Sequence, residues 1–209
     1  DDCISRGKDY YDGGPRYNSS YIQCCGLGTV TDSLSALKKH VFEEKTFAME
    51  RVLEAISKNF EGEEFMRQTI MNRTPFFGND DETADQIAVR VYDDLMATID
   101  NKPNIKEGGK YHLNMLSTTC HVYFGKMMGA TPNGRLAGKS ISDGTSPSHG
   151  ADTNGPSAVI KSLSKIDHVK SGGTLLNLRF LPSLLKREQD IKKLGQLIRS
   201  YFSLGGHHI

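Results

Sequence analysis

Apolar residues recur at helical spacing in several stretches of the chain, and each stretch predicts an amphipathic helix. The first follows Thr31 and Asp32, either of which can cap a helix that carries Leu34, Leu37 and Val41. The other predicted helices span residues 47–60, 63–72, 82–99 and 188–203. Asp80 and Asp81 precede the third of these. We interpret them as a helix start that the helix dipole favours, not as a metal site.

Apolar runs too short for a long helix predict strands. We expect residues 21–25 to form a buried strand, residues 112–125 a strand with its exit turn, and residues 172–180 another strand. Residues 157–164 fit a short strand or a short helix. Residues 205–209 indicate a strand that starts after a Gly-Gly turn, so we expect the chain to be part of a longer one. Strand, loop and helix in succession predict an α/β fold.

Residues 129–156 form a long segment rich in glycine and proline, without apolar periodicity. Loops of this length inside a compact domain are usually functional or wrap a core. Gly26 and Gly28 nearly match the dinucleotide fingerprint, but Thr31 stands where its third glycine is needed for close packing. Ser162 and Lys165 match a β-lactamase motif whose companion motifs are absent. We therefore reject both interpretations.

The composition excludes several classes of protein. The 209 residues are 37% hydrophobic and 24% charged, which suits one sizeable core and argues against disorder. The formal net charge is +1, so no nucleic acid or membrane surface is expected as a partner. No run of 18 apolar residues is present. The cysteines show no zinc-binding spacing, so we expect a reduced, cytoplasmic protein. They are Cys3, Cys24, Cys25 and Cys120.

Several segments, in order, resemble the glycyl radical enzymes, and together they cover essentially the whole chain. They are Gly13-Gly14-Pro15-Arg16-Tyr17-Asn18, Thr31-Asp32-Ser33-Leu34-Ser35-Ala36-Leu37-Lys38, Phe77-Gly78-Asn79-Asp80-Asp81, Met115-Leu116-Ser117-Thr118-Thr119-Cys120-His121-Val122-Tyr123-Phe124-Gly125, Gly129-Ala130-Thr131-Pro132-Asn133-Gly134-Arg135, Asp143-Gly144-Thr145-Ser146-Pro147, Asn154-Gly155-Pro156 and Gly172-Gly173-Thr174-Leu175-Leu176-Asn177. The fourth and last segments, with His207-His208-Ile209, resemble the dehydratase and lyase branch of this pyruvate formate-lyase-like family.

The resemblance implies a ten-stranded barrel, built of two antiparallel five-stranded halves and surrounded by helices. It also implies a radical stored on a backbone glycine, a cysteine thiyl that abstracts hydrogen from substrate, and a glutamate acid or base. The motifs that carry them, Gly-Cys-Val-Glu and Arg-Val-x-Gly-Tyr, are absent from this sequence. We therefore interpret residues 1–209 as an internal segment of the barrel domain, with no catalytic residue of its own. The glycine radical domain is expected beyond Ile209.

By the same resemblance, the full-length enzyme binds no metal or organic cofactor, because its radical is held by the protein. Its expected partners are a small polar organic substrate and a radical S-adenosylmethionine activating enzyme, with a homodimer as a possible assembly. A radical must be shielded from oxygen and water, so we expect an anaerobic, cytoplasmic setting and a closed chamber.

Residues 115–120 are the best candidate for a wall of that chamber. The resemblance places Thr118 toward substrate, where its hydroxyl can bind a polar ligand, and Leu116 at a position that varies with substrate. The alternative for Thr118 is a β-branched strand residue packed in the barrel. We expect Thr119 to point to the opposite face of the strand and to be structural.

The activity implied is that of a lyase that cleaves a C–O bond, with trans-4-hydroxy-L-proline as the expected substrate. Relatives with much of the same pattern leave alternatives open. These are dehydration of glycerol or propanediol, cleavage of choline to trimethylamine, and formate C-acetyl transfer. A further alternative is that this chain alone is an inert scaffold, and we expect it to show no turnover by itself.

Overall fold

Most of the regular structure is helical. The computed structural model describes residues 1–106 and 108–209. The α-helices are α1 (Asp2–Arg6), α2 (Leu27–Leu37), α3 (Met49–Ser57), α4 (Glu64–Arg73), α5 (Glu82–Ile99), α6 (Cys120–Met127), α7 (Pro156–Leu163) and α8 (Glu188–Ser203). The strands are β1 (Ser20–Gln23) and β2 (Tyr111–Asn114). One π-helix and two 3-10 helices complete the elements, at Lys38–Glu43, His168–Lys170 and Pro182–Leu185. None of the helices in the described ranges combines the length and apolarity needed to cross a membrane.

Four helices lie where apolar spacing predicts them: α3, α4, α5 and α8. The predicted start of α5 is also confirmed. Asp81 caps the helix, since its Oδ1 accepts a hydrogen bond from the Thr83 N–H at 2.9 Å. Asp80 instead pairs with Lys161, with 3.1 Å between Oδ2 and Nζ. The helix-start interpretation is therefore confirmed for Asp81, whereas Asp80 links the entry of α5 to a lysine of α7.

Helix α2 begins earlier than predicted. Its N-cap is Gly26, whose φ of 91° is a left-handed conformation that glycine adopts without strain. Thr31 and Asp32 therefore lie inside the helix and cap nothing. Both are buried, and the Asp32 carboxylate accepts the Phe77 N–H at 2.8 Å. Val41 lies beyond α2, in the π-helix that follows it.

The two strands form a parallel pair, with Ser20 opposite Tyr111 and Gln23 opposite Asn114. Strand β1 is an edge strand, and its side chains are mostly exposed in this chain. The predicted strand is therefore confirmed over residues 21–23, but its predicted burial is wrong, because only β2 covers β1 within the described residues.

Residues 172–180 are extended but form no regular strand, contrary to prediction. They pair through single parallel bridges, Thr174 with Met115 and Leu175 with His208. The second bridge agrees with the strand start expected at the end of the chain. The segments around Thr174 and His208 therefore lie beside the end of β2 and are joined to it and to each other by single bridges.

The arrangement is α/β, as predicted, but the ten-stranded barrel is not seen in this chain. The described residues hold one two-stranded sheet and isolated bridges. The Leu175 carbonyl accepts the Thr145 N–H at 3.0 Å and the Thr145 Oγ1–H at 2.9 Å. The long loop of residues 129–156 is thus hydrogen-bonded to the segment of residues 172–180.

The prediction of a strand over residues 112–125 holds only for its first part. Strand β2 ends at Asn114, a turn follows, and Cys120 begins helix α6. Thr119 precedes that helix and lies on no strand, so the prediction that assigned it to a strand face is wrong. The alternatives for residues 157–164 are resolved in favour of helix α7, which has Pro156 in its first turn, where a missing N–H costs nothing.

The core consists of two clusters of buried apolar side chains. One joins α5, α7, α8 and β2, and its largest fully buried members are Phe77, Tyr92, Leu113, Met115, Leu163, Leu176 and Tyr201. The other joins α2, α3 and α4 and includes Phe47, Val52, Phe60, Met66 and Ile70. Strand β2 enters the first cluster through Leu113, and so the turn that follows β2 is anchored to the core.

Candidate functional site

The turn between β2 and α6 carries both predicted site residues, Leu116 and Thr118. Thr118 is exposed and has a φ of 49°, the left-handed region that β-branched residues rarely adopt. Within the described residues its hydroxyl makes no hydrogen bond. A strained backbone is often found at functional sites, and here it carries an exposed hydroxyl in the turn after β2.

Leu116 is half-buried and packs on the neighbouring extended segment. A Cβ at Gly173 would lie 2.8 Å from the Leu116 Cδ1, so a side chain there would displace the leucine. Gly173 also has a φ of 139°, and its carbonyl accepts the Met115 N–H at 2.8 Å. The lack of a side chain at Gly173 therefore sets where Leu116 lies.

Ser117 lies between these two residues and is fully buried. Its hydroxyl donates to the Asp143 Oδ1 and accepts the Gly144 N–H at 3.0 Å. Its carbonyl accepts the Cys120 N–H at 2.8 Å, at the start of α6. The hydroxyl and the carbonyl of Ser117 are thus both hydrogen-bonded to protein.

Asp143 is a nearly buried carboxylate at the centre of this network. Its Oδ2 accepts a hydrogen bond from the Asn177 Nδ2. The His121 Nδ1 lies 3.4 Å from Oδ1, a separation that allows an ion pair with a protonated ring but is not a hydrogen bond. Asp143 therefore joins the turn, the long loop and the segment of residues 172–180.

A cavity of about 620 Å³ opens beside Asp143. Its lining includes His121, His149, Asn177 and Arg179. Neither Leu116 nor Thr118 lines this cavity, so the described residues alone do not enclose the predicted substrate contacts.

The four cysteines are all free thiols. Burial raises the pKa of the Cys24 thiol. Burial also raises the pKa of the Cys25 thiol, with smaller contributions from Cys120, Cys24 and Asp143. Thiolates are the reactive form, so these thiols are poor nucleophiles. In the parts of the chain that the structure describes, no three histidine, cysteine or acidic side chains are grouped to hold a metal ion.

The hydrogen-bond network that joins the buried Ser117 and Asp143 to the exposed Asn177 was not predicted. All three residues lie in segments that carry the family resemblance, but nothing in their spacing shows that they meet. The separations along the chain are 26 residues between Ser117 and Asp143 and 34 between Asp143 and Asn177. Contacts over such separations depend on the path of the long loop, which sequence periodicity does not describe.

Two sequence families match this chain. The pyruvate formate lyase-like family matches residues 1–125, and the glycine radical family matches residues 141–209. The second match begins inside the chain, within the region assigned from sequence to the barrel domain. That the radical loop itself lies beyond Ile209 stays a prediction.

Relatives are similar over the whole chain. The trans-4-hydroxy-L-proline dehydratase of Clostridioides difficile is 51% identical over 209 residues, which are 100% of this chain and 26% of that protein. The isethionate sulfite-lyase of Oleidesulfovibrio alaskensis is 40% identical over 195 residues, or 92% of this chain and 23% of that protein. The chain thus spans about a quarter of the length of these relatives.

Solved structures agree with the sequence matches. The hydroxyproline dehydratase from Clostridioides difficile, with trans-4-hydroxy-L-proline bound, superposes with a TM-score of 0.94 over 99% of this chain and 26% of that one. The B12-independent glycerol dehydratase from Clostridium butyricum, 38% identical, gives a TM-score of 0.91 over 100% of this chain and 27% of that one. The family matches, the sequence identity and the shared fold together show that the chain belongs to the pyruvate formate lyase-like family of glycyl radical enzymes.

Proposed function

We propose that this chain is part of a glycyl radical dehydratase that removes water from trans-4-hydroxy-L-proline. The observation that carries the proposal is the agreement with the hydroxyproline dehydratase along the entire chain, at 51% identity and a TM-score of 0.94. Because the chain covers 26% of that relative, the activity belongs to the full-length enzyme.

Within that enzyme, the turn after β2 would form part of the substrate chamber. Thr118 supports this role because its hydroxyl is exposed and unbonded within the described residues, and so is free to bind a polar ligand. Leu116 stands two residues earlier on the same turn and would supply an apolar contact. The thiyl cysteine, the acid or base glutamate and the radical glycine would come from segments outside this chain.

The full-length enzyme would complete the ten-stranded barrel around this wall. The glycine radical match over residues 141–209 supports a radical carried by the protein, with no bound cofactor. Such a radical needs a partner to generate it, for which we propose a radical S-adenosylmethionine activating enzyme. A homodimer and an anaerobic, cytoplasmic setting remain part of the proposal. A closed chamber would keep water and oxygen from the reacting centre.

A substrate panel tests the proposed reaction. The activated full-length enzyme is incubated without oxygen with hydroxyproline, glycerol, propanediol, choline or pyruvate, and each product is identified by mass spectrometry. We expect loss of water from hydroxyproline at the highest kcat/KM of the panel. Preference for another substrate would overturn the assignment while leaving the family intact. The isolated 209-residue chain should show no turnover.

Replacing Thr118 with valine tests the substrate contact. The Thr118→Val variant of the full-length enzyme keeps the shape of the side chain but removes its hydroxyl. We expect KM for hydroxyproline to rise about tenfold, because a lost hydrogen bond to substrate is worth about 1 kcal/mol or more. Thr119→Val is the matched control and should change KM less than about twofold. Equal effects of the two variants would contradict the assignment of Thr118.

Glycerol dehydration is the second candidate function. It is supported by the glycerol-bound dehydratase that superposes on the whole chain at 38% identity. A higher kcat/KM for glycerol than for hydroxyproline in the same panel would favour it.

A further inference from the structure

We propose that Asp143 is a positioning residue for substrate binding, which acts by holding the turn that carries Thr118. This inference rests on the proposed function, since it requires that Thr118 contacts substrate. Asp143 itself need not touch the substrate. It would act through Ser117, the buried residue between Leu116 and Thr118.

The first step is the way Asp143 joins two segments. One carboxylate oxygen accepts from the Ser117 hydroxyl on the turn, and the other accepts from the Asn177 side chain. Hydrogen bonds to a carboxylate are about twice as strong as neutral ones. The turn is therefore tied through Asp143 to the segment of residues 172–180.

The second step is the fixed position of Asp143 itself. The adjacent Gly144 N–H donates to the Ser117 Oγ at 3.0 Å, so consecutive residues of the long loop hold the same hydroxyl. A Cβ at Gly144 would lie 2.6 Å from the Met115 carbonyl oxygen and 2.7 Å from that of Leu175. The loop is thus pressed against both extended segments at this point, and the carboxylate has little freedom to move.

The third step is the conformation that the network supports. Thr118 has a φ of 49°, which costs of order 1–3 kcal/mol for a residue with a branched Cβ. Such a conformation persists only where the surrounding structure enforces it. Among residues 1–106 and 108–209, Thr118 makes no hydrogen bond that would do so, whereas its neighbour Ser117 makes three. Loss of the Asp143 acceptor would let the turn relax and move the Thr118 hydroxyl away from substrate.

The experiment is a double-mutant cycle in the activated full-length enzyme. Asp143→Asn removes the negative charge and turns one acceptor oxygen into a donor group, so the charge-assisted hydrogen bonds to Ser117 and Asn177 are weakened or rearranged. The variant is made alone and together with Thr118→Val, and radical content is measured by electron paramagnetic resonance beside kcat and KM. Asp152→Asn is the matched control, since Asp152 is exposed, lies in the same long loop and makes no hydrogen bond within the described residues.

We expect Asp143→Asn to raise KM for hydroxyproline about tenfold with unchanged radical content. In the Thr118→Val background it should raise KM less than about twofold, because the contact it positions is already lost. Asp152→Asn should leave KM within about twofold of the parent enzyme. An equal rise of KM in both backgrounds, or none in the parent, would overturn the positioning role.

Failure of the underlying function gives a different pattern. If Thr118→Val alone leaves KM unchanged, both the substrate contact and the positioning role are refuted. If the activated parent enzyme forms its glycyl radical but does not convert hydroxyproline, the double-mutant cycle is run on the panel substrate that the enzyme does convert. If the Asp143→Asn variant does not form the radical, Asn177→Ala replaces it in the same double-mutant cycle. This substitution at an exposed position removes the Asn177 side chain that donates to Asp143, and the same changes of KM are expected.

Discussion

At the scale of single residues, polar side chains inside the fold explain more than the apolar ones. Ser117 and Asp32 are both fully buried, and each is held by hydrogen bonds to a distant part of the chain. Buried polar groups are stable only when their partners are in place, so each fixes the position of its partner segment. The Asp32 carboxylate is the less completely bonded of the two, since its Oδ2 has no hydrogen-bond partner within the described residues.

The buried Asp32 should make stability depend on pH. Burial raises the pKa of this carboxyl from 3.8 to about 7, although the nearby Ser148 side chain and the Phe77 N–H hydrogen bond oppose the shift. The folded state therefore holds a proton that the unfolded state has released, and stability falls as pH rises from about 4 to about 7. Asp32→Asn, which keeps an acceptor for the Phe77 N–H, should remove that loss, a difference on the order of a few kcal/mol.

The measurement is urea unfolding of the parent and the variant at about pH 5 and about pH 8. The variant should gain stability relative to the parent at the higher pH. A difference between the two proteins that does not change with pH would contradict a raised pKa for Asp32.

Two glycines with left-handed backbones should respond very differently to alanine. Gly144 has a φ of 50° and no room for a Cβ, since two carbonyl oxygens lie within 2.7 Å of its place. Gly150 has a φ of 78° but nothing within 4 Å. We expect Gly144→Ala to lower the free energy of unfolding by about 3 kcal/mol or more and Gly150→Ala by about 1–2 kcal/mol. Thermal unfolding compares them, and equal losses would show that the loop does not press on the turn.

At the scale of elements, sequence periodicity predicted the helices well and the strands poorly. Helices α3, α4, α5 and α8 were predicted because apolar spacing reports a face that packs locally. The strands depend on partners far along the chain, so β1 was wrongly predicted to be buried and residues 115–125 to be extended. Leu116 and Thr118 were named through family resemblance, whereas Asp143 gained a role only from the fold.

Lys165, two residues after the end of α7, forms ion pairs with the first turn of α5. Lys165 Nζ lies 2.7 Å from Oδ2 of Asp85, whose side chain is fully buried, and 2.8 Å from Oε2 of Glu82. Burial raises the pKa of Asp85, and Lys165 partly offsets this. Lys165→Met would leave a buried carboxylate without its cation, and we expect a loss of about 2–3 kcal/mol.

Lys161→Met is the matched control, since Lys161 is mostly exposed and its one ion pair among the described residues is with Asp80. Its loss should cost less than about 1 kcal/mol. The Lys165→Met penalty should shrink at low pH, because Asp85 then takes up a proton. Equal penalties for the two lysines in urea unfolding would refute a special role for Lys165.

At the scale of the whole molecule, the chain spans about a quarter of the length of its relatives. All 209 residues align with the hydroxyproline dehydratase, but they cover only 26% of that protein. Apolar side chains on β1 and α8, such as Ile22 and Phe202, are exposed in this chain, and under the proposed function the rest of the enzyme would cover them. Under the proposed function, the catalytic motifs would lie outside this sequence, and this chain would supply a wall of the substrate chamber that Asp143 holds in shape.

The most direct test of this account is the structure of the full-length enzyme with hydroxyproline bound. The account predicts that the Thr118 Oγ1 lies within about 3.2 Å of a polar atom of the substrate, with Ser117 still bonded to Asp143. A substrate bound away from the turn after β2, or a Thr118 that faces away from it, would contradict the account.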